Sequence, residues 1–459
     1  MSRTALPLML AASLAACATA PAPAPRTIAA PAAFAQATAT AAEPVAEFWR
    51  AFGDAELDAL IRDALAANTD LRIAAAHVAE ARALAQGTEG LGRPSLDATS
   101  GANRIRARDS DGNADTFNAV GVGLAAKWEI DLFGRIAGEQ RAASANLLAT
   151  EALQRAAQVS VAAEVARNYF ELRGLQEQLR VTRLDLGTQR EALKLVQARL
   201  DVGRGTALDT ERATVLVEGT AAGVSALETA LTRTRMRLAV LTGTGPAALD
   251  ARLAEQKPLP GLPATPLVAI GSPQTLLARR PDVAAAEAQL RAAEARTGSA
   301  RAALYPSLTL SGTLGLNAGR VGDLGDSASF AYNLGASLLW SLIDHGQRRS
   351  QVAAAEARRD AALAQFDQAV LAALEETEGA LVAFTRAQQR TEHLFAAAQA
   401  AEGAAKIARA RFEAGTIDFL ALLDAERELL LARDRLAQGQ TAAATSLVAV
   451  YRSLAGGWR

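Results

Sequence analysis

Residues 165–200 read VARNYFELRGLQEQLRVTRLDLGTQREALKLVQARL, and in them Val165, Leu172, Leu179, Leu186, Leu193 and Leu200 stand seven apart. Tyr169, Leu175 and Val196 fill the intermediate steps of three and four. An apolar residue at this spacing predicts helices wound into a left-handed coiled coil. Neither the stretch from Gly134 to Val202 nor a second one from Gly346 to Ala414 contains a proline. At about 1.5 Å per residue, a helix of roughly 70 residues reaches roughly 100 Å, more than a globular domain needs. Length is therefore a clue to function, although the periodicity alone also suits a purely structural coiled coil.

The two stretches are copies. Pro94-Ser95-Leu96 recurs as Pro306-Ser307-Leu308, Trp128 as Trp340, Gly134 as Gly346, Arg199 as Arg411 and Gly203 as Gly415, each pair 212 positions apart (340 − 128). Past the glycines the interval becomes 215 (424 − 209): Asp209 matches Asp424, and Glu211-Arg212 matches Glu426-Arg427. The copies end alike, at Leu241-Thr242-Gly243 and Leu454-Ala455-Gly456. A repeat this long means one supersecondary unit written twice, neither copy able to bury its apolar face alone. We place the first repeat at 47–257, a Pro-rich linker at 258–273 and the second repeat at 274–459. Each should run helix (Leu57 to Gly87; Gln274 to Ala303), β-hairpin, long helix, glycine turn and last helix.

The hairpins are read from Ser95 to Asn103 with Phe117 to Trp128, and from Ser307 to Asn317 with Phe330 to Trp340. Leu308, Leu310, Leu314 and Leu316 alternate with Thr309, Ser311, Thr313 and Gly315, the pattern of a strand with one apolar and one polar face. Each segment is near the ~9–11 residues that cross an outer membrane as a tilted strand, with polar loops at Arg104 to Asp115 and Ala318 to Ser327. Trp128 and Trp340 suit an aromatic girdle at the lipid boundary, and equally the core of a soluble sheet. Lipid tolerates no open sheet edge and a barrel closes with about eight strands or more, so four strands must share a transmembrane barrel with other chains.

The N-terminus bears on compartment. Arg3, an apolar run from Leu6 to Ala12 and Leu14-Ala15-Ala16 precede Cys17, the only cysteine of the chain. Residues 1–16 read as a lipoprotein signal peptide and 17–46 as a lipidated cysteine followed by a stiff Pro/Ala-rich tether. The segment resembles bacterial lipoproteins, which implies diacylglycerol and an N-acyl lipid on Cys17. Ala18 and Thr19 follow with no aspartate beside the cysteine, and by the same resemblance this favours the outer membrane. Two or more acyl chains anchor stably without a transmembrane helix.

Four further stretches, read with the duplication, resemble one family. They are Trp128-Glu129-Ile130-Asp131-Leu132-Phe133-Gly134-Arg135, Arg279-Arg280-Pro281-Asp282-Val283, Ala303-Leu304-Tyr305-Pro306-Ser307-Leu308 and Arg411-Phe412-Glu413-Ala414-Gly415. The resemblance is to TolC-type outer-membrane efflux factors and, with Cys17, to their lipoprotein branch, the OprM-like and NodT-like proteins. It covers about Glu47 to Gly456. It implies a homotrimer with a shared β-barrel in the outer membrane and a long periplasmic α-helical barrel. It also implies docking to a periplasmic adaptor and an inner-membrane pump of the RND type, with passive export of drugs or other small molecules. Thr69 stands where proline is common in the family, and Ile417 where some members carry a gating arginine.

Gly203 and Gly415, which end the long helices, read by themselves as ordinary helix stops, and Asp209 and Asp424 as solvated charges. The resemblance puts both aspartates at the aperture of the periplasmic tip, with Arg204, Arg212 and Arg427 near enough in sequence to pair with them.

The composition excludes other classes. With 48 Lys+Arg against 49 Asp+Glu there is no basic footprint for nucleic acid, and one cysteine allows no intramolecular disulfide. His77, His345 and His393 are isolated, and no dinucleotide, Walker or nucleophile-elbow motif is complete. No enzyme activity, cofactor or metal is expected, so energy for transport must come from a partner. A non-conducting envelope lipoprotein or coiled-coil adhesin is the alternative from another class.

Overall fold

The computed structural model describes residue 34 and residues 47–108, 112, 114–255, 257, 259 and 272–454. Cys17, the signal peptide, nearly all of the tether and most of the linker lie outside the described residues. The elements run α1 (Ala55–Ala67), α2 (Thr69–Glu89), β1 (Ser95–Arg108), β2 (Ala114–Ile130), α3 (Arg135–Asp201), α4 (Ala207–Thr242) and α5 (Pro246–Leu253). They continue as α6 (Pro273–Arg279), α7 (Pro281–Ala302), β3 (Ser307–Ala318), β4 (Phe330–Leu339), α8 (Gln347–Glu413) and α9 (Phe419–Ser453). Both long helices have 67 residues, as the proline-free runs predict. None of the described helices is long and apolar enough to cross a membrane.

Two compact units emerge, and each draws on both sequence copies. One gathers His77–Glu151 with Ala285–Gln368, the other Ile28–Ala76 with Ala152–Ala284 and Ala369–Arg459, within the described residues. The first unit holds a single antiparallel sheet of order β1-β2-β3-β4. The two hairpins are joined through β2 and β3, where Trp128 pairs Leu310 and Leu124 pairs Leu314. Paired residues share a face, and successive residues alternate. One face therefore collects Leu96, Ala98, Val120, Val122, Leu124, Trp128, Ile130, Leu308, Leu310, Leu314, Leu316, Phe330, Tyr332 and Leu338. The other collects Asp97, Thr99, Asn103, Lys127, Glu129, Thr309, Ser311, Thr313, Asn317, Asn333 and Ser337, with Ile105 and Phe117 at its hairpin end and Leu339 at its helix end. A sheet in a soluble core would bury the first face; here Leu334, Leu338 and Tyr332 are 85%, 66% and 76% exposed.

Where the strands meet the helices, each tryptophan ties the junction. Trp128 Nε1 donates to the Gly92 carbonyl (3.0 Å) and Trp340 Nε1 to that of Leu304 (3.2 Å), across the same 36-residue separation. Both rings are partly solvent-exposed, not enclosed in a sheet core. The long helices then start behind left-handed glycines, Gly134 (φ 79°) and Gly346 (φ 85°). Asp131 accepts from the Ala137 N–H (2.7 Å), and Asp344 accepts from those of Gly346 and Arg348 (3.0 and 3.1 Å). These backbone donors hold the Asp344 carboxyl below its usual range. The family-like Trp128–Arg135 stretch is thus a strand end, a left-handed turn and a helix cap, with Phe133 stacked on Tyr305 (centroids 4.8 Å).

The second unit contains the main apolar core. Phe48 stacks on Tyr451 (4.9 Å) and Phe52 meets Phe170 (4.7 Å). Leu57, Leu60, Ile61, Val165, Tyr169, Leu172, Leu238 and Leu241 are almost wholly buried around them. The seven-residue seam enters this core at Val165 and Leu172, and Leu179, Leu186 and Val196 stay buried beyond it. Arg173, which carries no apolar signal, is also buried. Its Nε donates to Tyr169 Oη (3.1 Å), and one terminal nitrogen donates to Gln176 Oε1 and to the Glu255 carbonyl (2.8 Å each). Tyr169 Oη in turn donates to Asp54 Oδ2 (2.6 Å), and burial followed by this bond pushes the phenol up from its ordinary value.

Three expectations need correction. The helical stretches Leu57 to Gly87 and Gln274 to Ala303 are each two helices, broken at Asn68 and Arg280. The breaks are equivalent: Asn68 Nδ2 donates to the Leu241 carbonyl (2.9 Å) and an Arg280 terminal nitrogen to that of Ser453 (2.7 Å), both across 173 residues. Asn68 also caps α2 by accepting from Asp70 and Leu71. β1 and β2, at 14 and 17 residues, absorb most of the polar segment Arg104 to Asp115, because cross-strand pairing satisfies backbone groups that polar side chains leave unaffected. The first copy also gains α5, behind Pro246.

Arg280 makes the repeat's second break stronger than its first. It grips Asp282 with two nitrogens (3.0 and 2.7 Å) and reaches Glu376 on α8 (2.7 Å), which also takes Arg452 (2.7 Å). Burial opposes ionisation of Asp282 and Glu376, but bonds from Arg280 outweigh it and hold both carboxyls below their ordinary values. Arg280→Ala should cost about 2–4 kcal/mol, under the ~3–5 of a fully buried pair because both carboxylates remain partly exposed. Since both folded-state pKa values are lowered, this stabilisation is present above pH ~5 and fades as pH falls through them. Thermal unfolding in detergent should therefore show the gap between wild type and variant closing toward pH ~3; a gap independent of pH would contradict the assignment.

Candidate functional site

The turns between α3 and α4 and between α8 and α9 repeat one local design. Gly203 (φ 74°) and Gly415 (φ 72°) occupy the left-handed region, where a side chain would be strained. The Arg204 N–H reaches back to the Arg199 carbonyl (2.8 Å) and that of Thr416 to the Arg411 carbonyl (2.9 Å), the C-terminal closure such a residue permits. Each following helix starts behind a capping side chain: Thr206 accepts from the Asp209 N–H (3.2 Å), and Asp418 from that of Ala421 (2.9 Å). Val196, Ala213, Phe412, Phe419 and Leu422 form a small core under both turns, and Ile417 packs partly buried against it.

The two matched aspartates do not occupy matching places. Both last helices begin four residues past their glycine, so the three extra residues of the second copy lie between the start of α9 and Asp424, although α9 as a whole is no longer than α4 (35 residues against 36). Asp209 lies in the first turn of α4, where its Oδ2 accepts from the Thr206 hydroxyl (2.7 Å) and its charge faces the positive helix end. Asp424 lies a turn deeper in α9 and is exposed. Within the chain, neither aspartate pairs with Arg204, Arg212 or Arg427. The spacing suggested such pairs, since Asp209 with Arg212 and Asp424 with Arg427 are i, i+3 neighbours; instead Asp209 takes the Thr206 hydroxyl, and Asp424 and Arg427 are both exposed.

Other charges bind the helices here, and sequence reasoning missed them. Arg409 forks onto Glu426 (2.6 Å for one bond), and Arg433 takes Asp185 (2.9 Å) and Glu402 (3.4 Å). α3, α8 and α9 are thereby tied side by side. Burial pushes the Asp185 carboxyl up, with Arg433 opposing it. Arg199 lies over the Phe412 ring (4.0 Å) and donates to the Phe412 carbonyl (3.1 Å), capping the end of α8. Its matched partner Arg411 is exposed, so these equivalent letters do different work. The signal was present only as unpaired charges on helix faces, and no spacing rule joins α3 to α9.

A polar cleft of about 430 Å³ in the other unit is lined by Glu129, Asp131, Arg135, Tyr305, Gln347 and Arg348 among others. Arg135 is held there by Glu129 (2.9 Å) and Glu139 (2.7 Å), so the charges are already matched.

Comparisons agree with this geometry. The outer membrane efflux protein family matches residues 60–244 and again 272–456, the same 212-residue interval (272 − 60) as the sequence repeat. The chain is 33% identical over 426 residues to the pyoverdine export outer membrane protein OpmQ of Pseudomonas aeruginosa, covering 91% of this chain and 89% of that one. It is 34% identical over 416 residues to outer membrane protein OprJ of the same organism, covering 89% and 86%. Among solved structures, the outer-membrane channel OprN superposes with a TM-score of 0.88 at 37% identity, over 95% of this chain and 99% of that one. CusC, described as forming a transmembrane channel, superposes with 0.81 at 26% identity, over 95% and 99%. These neighbours are outer-membrane channels with a long α-helical barrel and a β-barrel, and the four strands and two 67-residue helices here have the same fold. With both repeats matched and relatives aligned along nearly their whole length, the chain belongs to the outer membrane efflux protein family.

Proposed function

We propose that this protein is the outer-membrane channel of a tripartite efflux system, conducting small molecules passively and closed at its turn-bearing helix ends. The observation that carries the reading is the four-stranded sheet with one continuous apolar face, one polar face and two open edges. A spacer or adhesin has no use for a polar sheet face behind a lipid-facing one, whereas a water-filled barrel needs both. The chain works as a homotrimer, docks with a periplasmic adaptor and an inner-membrane RND-type pump, and carries no catalytic centre. Relatives bear names as different as pyoverdine export, toluene efflux and cation efflux, which fits a duct whose pump chooses the cargo.

The anchor is a lipid on Cys17. Cys17→Ser should abolish incorporation of radioactive fatty acid, and a labelled Ser variant would sink the assignment. The assembled species in detergent should have the mass of three mature chains by native mass spectrometry; a folded preparation containing only monomer would exclude it.

At the gate, Asp424 is the freer carboxylate and Asp209 is partly committed to its helix cap. In a trimer, six such groups would line the aperture, and exposed pairs made with arginines of neighbouring protomers, at ~0–1 kcal/mol each, would together keep a closed state dominant yet openable. Asp424→Ala should raise single-channel conductance or vancomycin sensitivity, and adding Asp209→Ala should raise it further while costing up to ~1 kcal/mol at the start of α4. Conductance and antibiotic leakage unchanged in the double variant would remove both residues from the gate.

A further inference from the structure

The apolar face of the sheet has a measurable height. It begins at the row Ile130–Leu308–Leu338 and ends at the row Ala102–Val120–Ala318. Ten residue steps along β3 give about 33 Å of strand, or about 25 Å of depth at the usual tilt, the height of an outer-membrane hydrocarbon band. Tryptophans mark the helix end of this band, and Phe330 and Tyr332, with ring centroids 6.5 Å apart, mark the hairpin end.

The rows just past the hairpin end carry charge of one sign on the same outward face. Arg104 pairs with Asn118, Arg106 with Thr116 and Arg108 with Ala114, so three arginines stand in line at two-residue steps, each about 6.7 Å from the next. All three are exposed. Arg108 donates to the Gly112 carbonyl (2.8 Å), while Arg104 and Arg106 have no partner among the described residues. Asp115 belongs to the opposite face, and Asp323 and Asp326, in the connection after β3, pair with none of the three. Asp109 and Asp111 follow in the chain, outside the described residues.

We propose that Arg104, Arg106 and Arg108 form a docking strip for the phosphate groups of the outer-leaflet glycolipid, lipid A. The proposal rests on the sheet being the membrane segment of an outer-membrane channel. Arginine on a lipid-facing surface costs several kcal/mol at mid-bilayer and about 0–1 near the interface, so the row is excluded from the hydrocarbon, and its start one row past the apolar band sets it at headgroup depth. There a guanidinium binds phosphate with paired N–H groups, and a headgroup with two phosphates can engage more than one arginine of the strip. Residues outside the apolar band that merely sought water would need neither a common face nor a common sign.

The purified full-length mature protein in detergent, titrated with bisphosphorylated lipid A and with its dephosphorylated form, tests this by native mass spectrometry. Wild type should prefer the phosphorylated lipid by about tenfold or more. Arg104→Gln with Arg106→Gln and Arg108→Gln should reduce the preference to about twofold or less, and the triple Lys variant should keep most of it. If the triple Gln variant does not fold, Arg104→Gln alone should still weaken the preference. Equal binding of both lipids by wild type, or an undiminished preference in a folded Gln variant, overturns the strip. Binding of neither lipid by wild type also overturns the strip, whereas failure of the membrane reading would show separately as a protein that gives no channel conductance in a planar bilayer.

Discussion

In hydrocarbon every backbone N–H and C=O must find a protein partner, and within one chain the outer edges of β1 and β4 have none. In the proposed channel, other copies of the chain would meet this requirement by completing the sheet. The requirement also dictates the alternation seen on both faces, because a closed barrel has lipid on one side and water on the other. The four-strand contribution, the apolar band and the polar inner face are consequences of one constraint.

Duplication supplies the rest, and its traces are hydrogen bonds as much as letters. Asn68 and Arg280 share no chemistry beyond a donor nitrogen, yet each bridges a helix break to the end of its own copy's last helix. Trp128 and Trp340 each pin a strand to the preceding helix. The copies then diverge where the two halves need different work. Arg280 adds two carboxylates that Asn68 lacks, Arg199 covers Phe412 while Arg411 stays exposed, and three extra residues ahead of it set Asp424 deeper in its helix than Asp209.

The turn-bearing ends combine a small apolar core with ion pairs across helices. Five buried apolar side chains hold the turns, whereas the main core of the other helix segments is several times larger. Partly exposed pairs such as Arg409–Glu426 and Arg433–Glu402 contribute only about 0–1 kcal/mol each. Small cores and weak pairs open at low cost, which is the property that the proposed aperture would require.

The sequence by itself determined the repeat, the long helices, the glycine turns and the existence of four strands. Those features rest on local rules: seven-residue periodicity, proline and glycine stereochemistry, and alternation along β3. It could not locate the breaks at Asn68 and Arg280, because each depends on a carbonyl 173 residues away. Nor could it place Arg173 in the core or join Arg433 to Asp185, since charged letters on a helix look solvated until a neighbouring helix arrives. Only the tertiary structure decided that Asp209 and Asp424, identical in motif, sit one helical turn apart, because helix phase is counted from the cap and not from the matching letter.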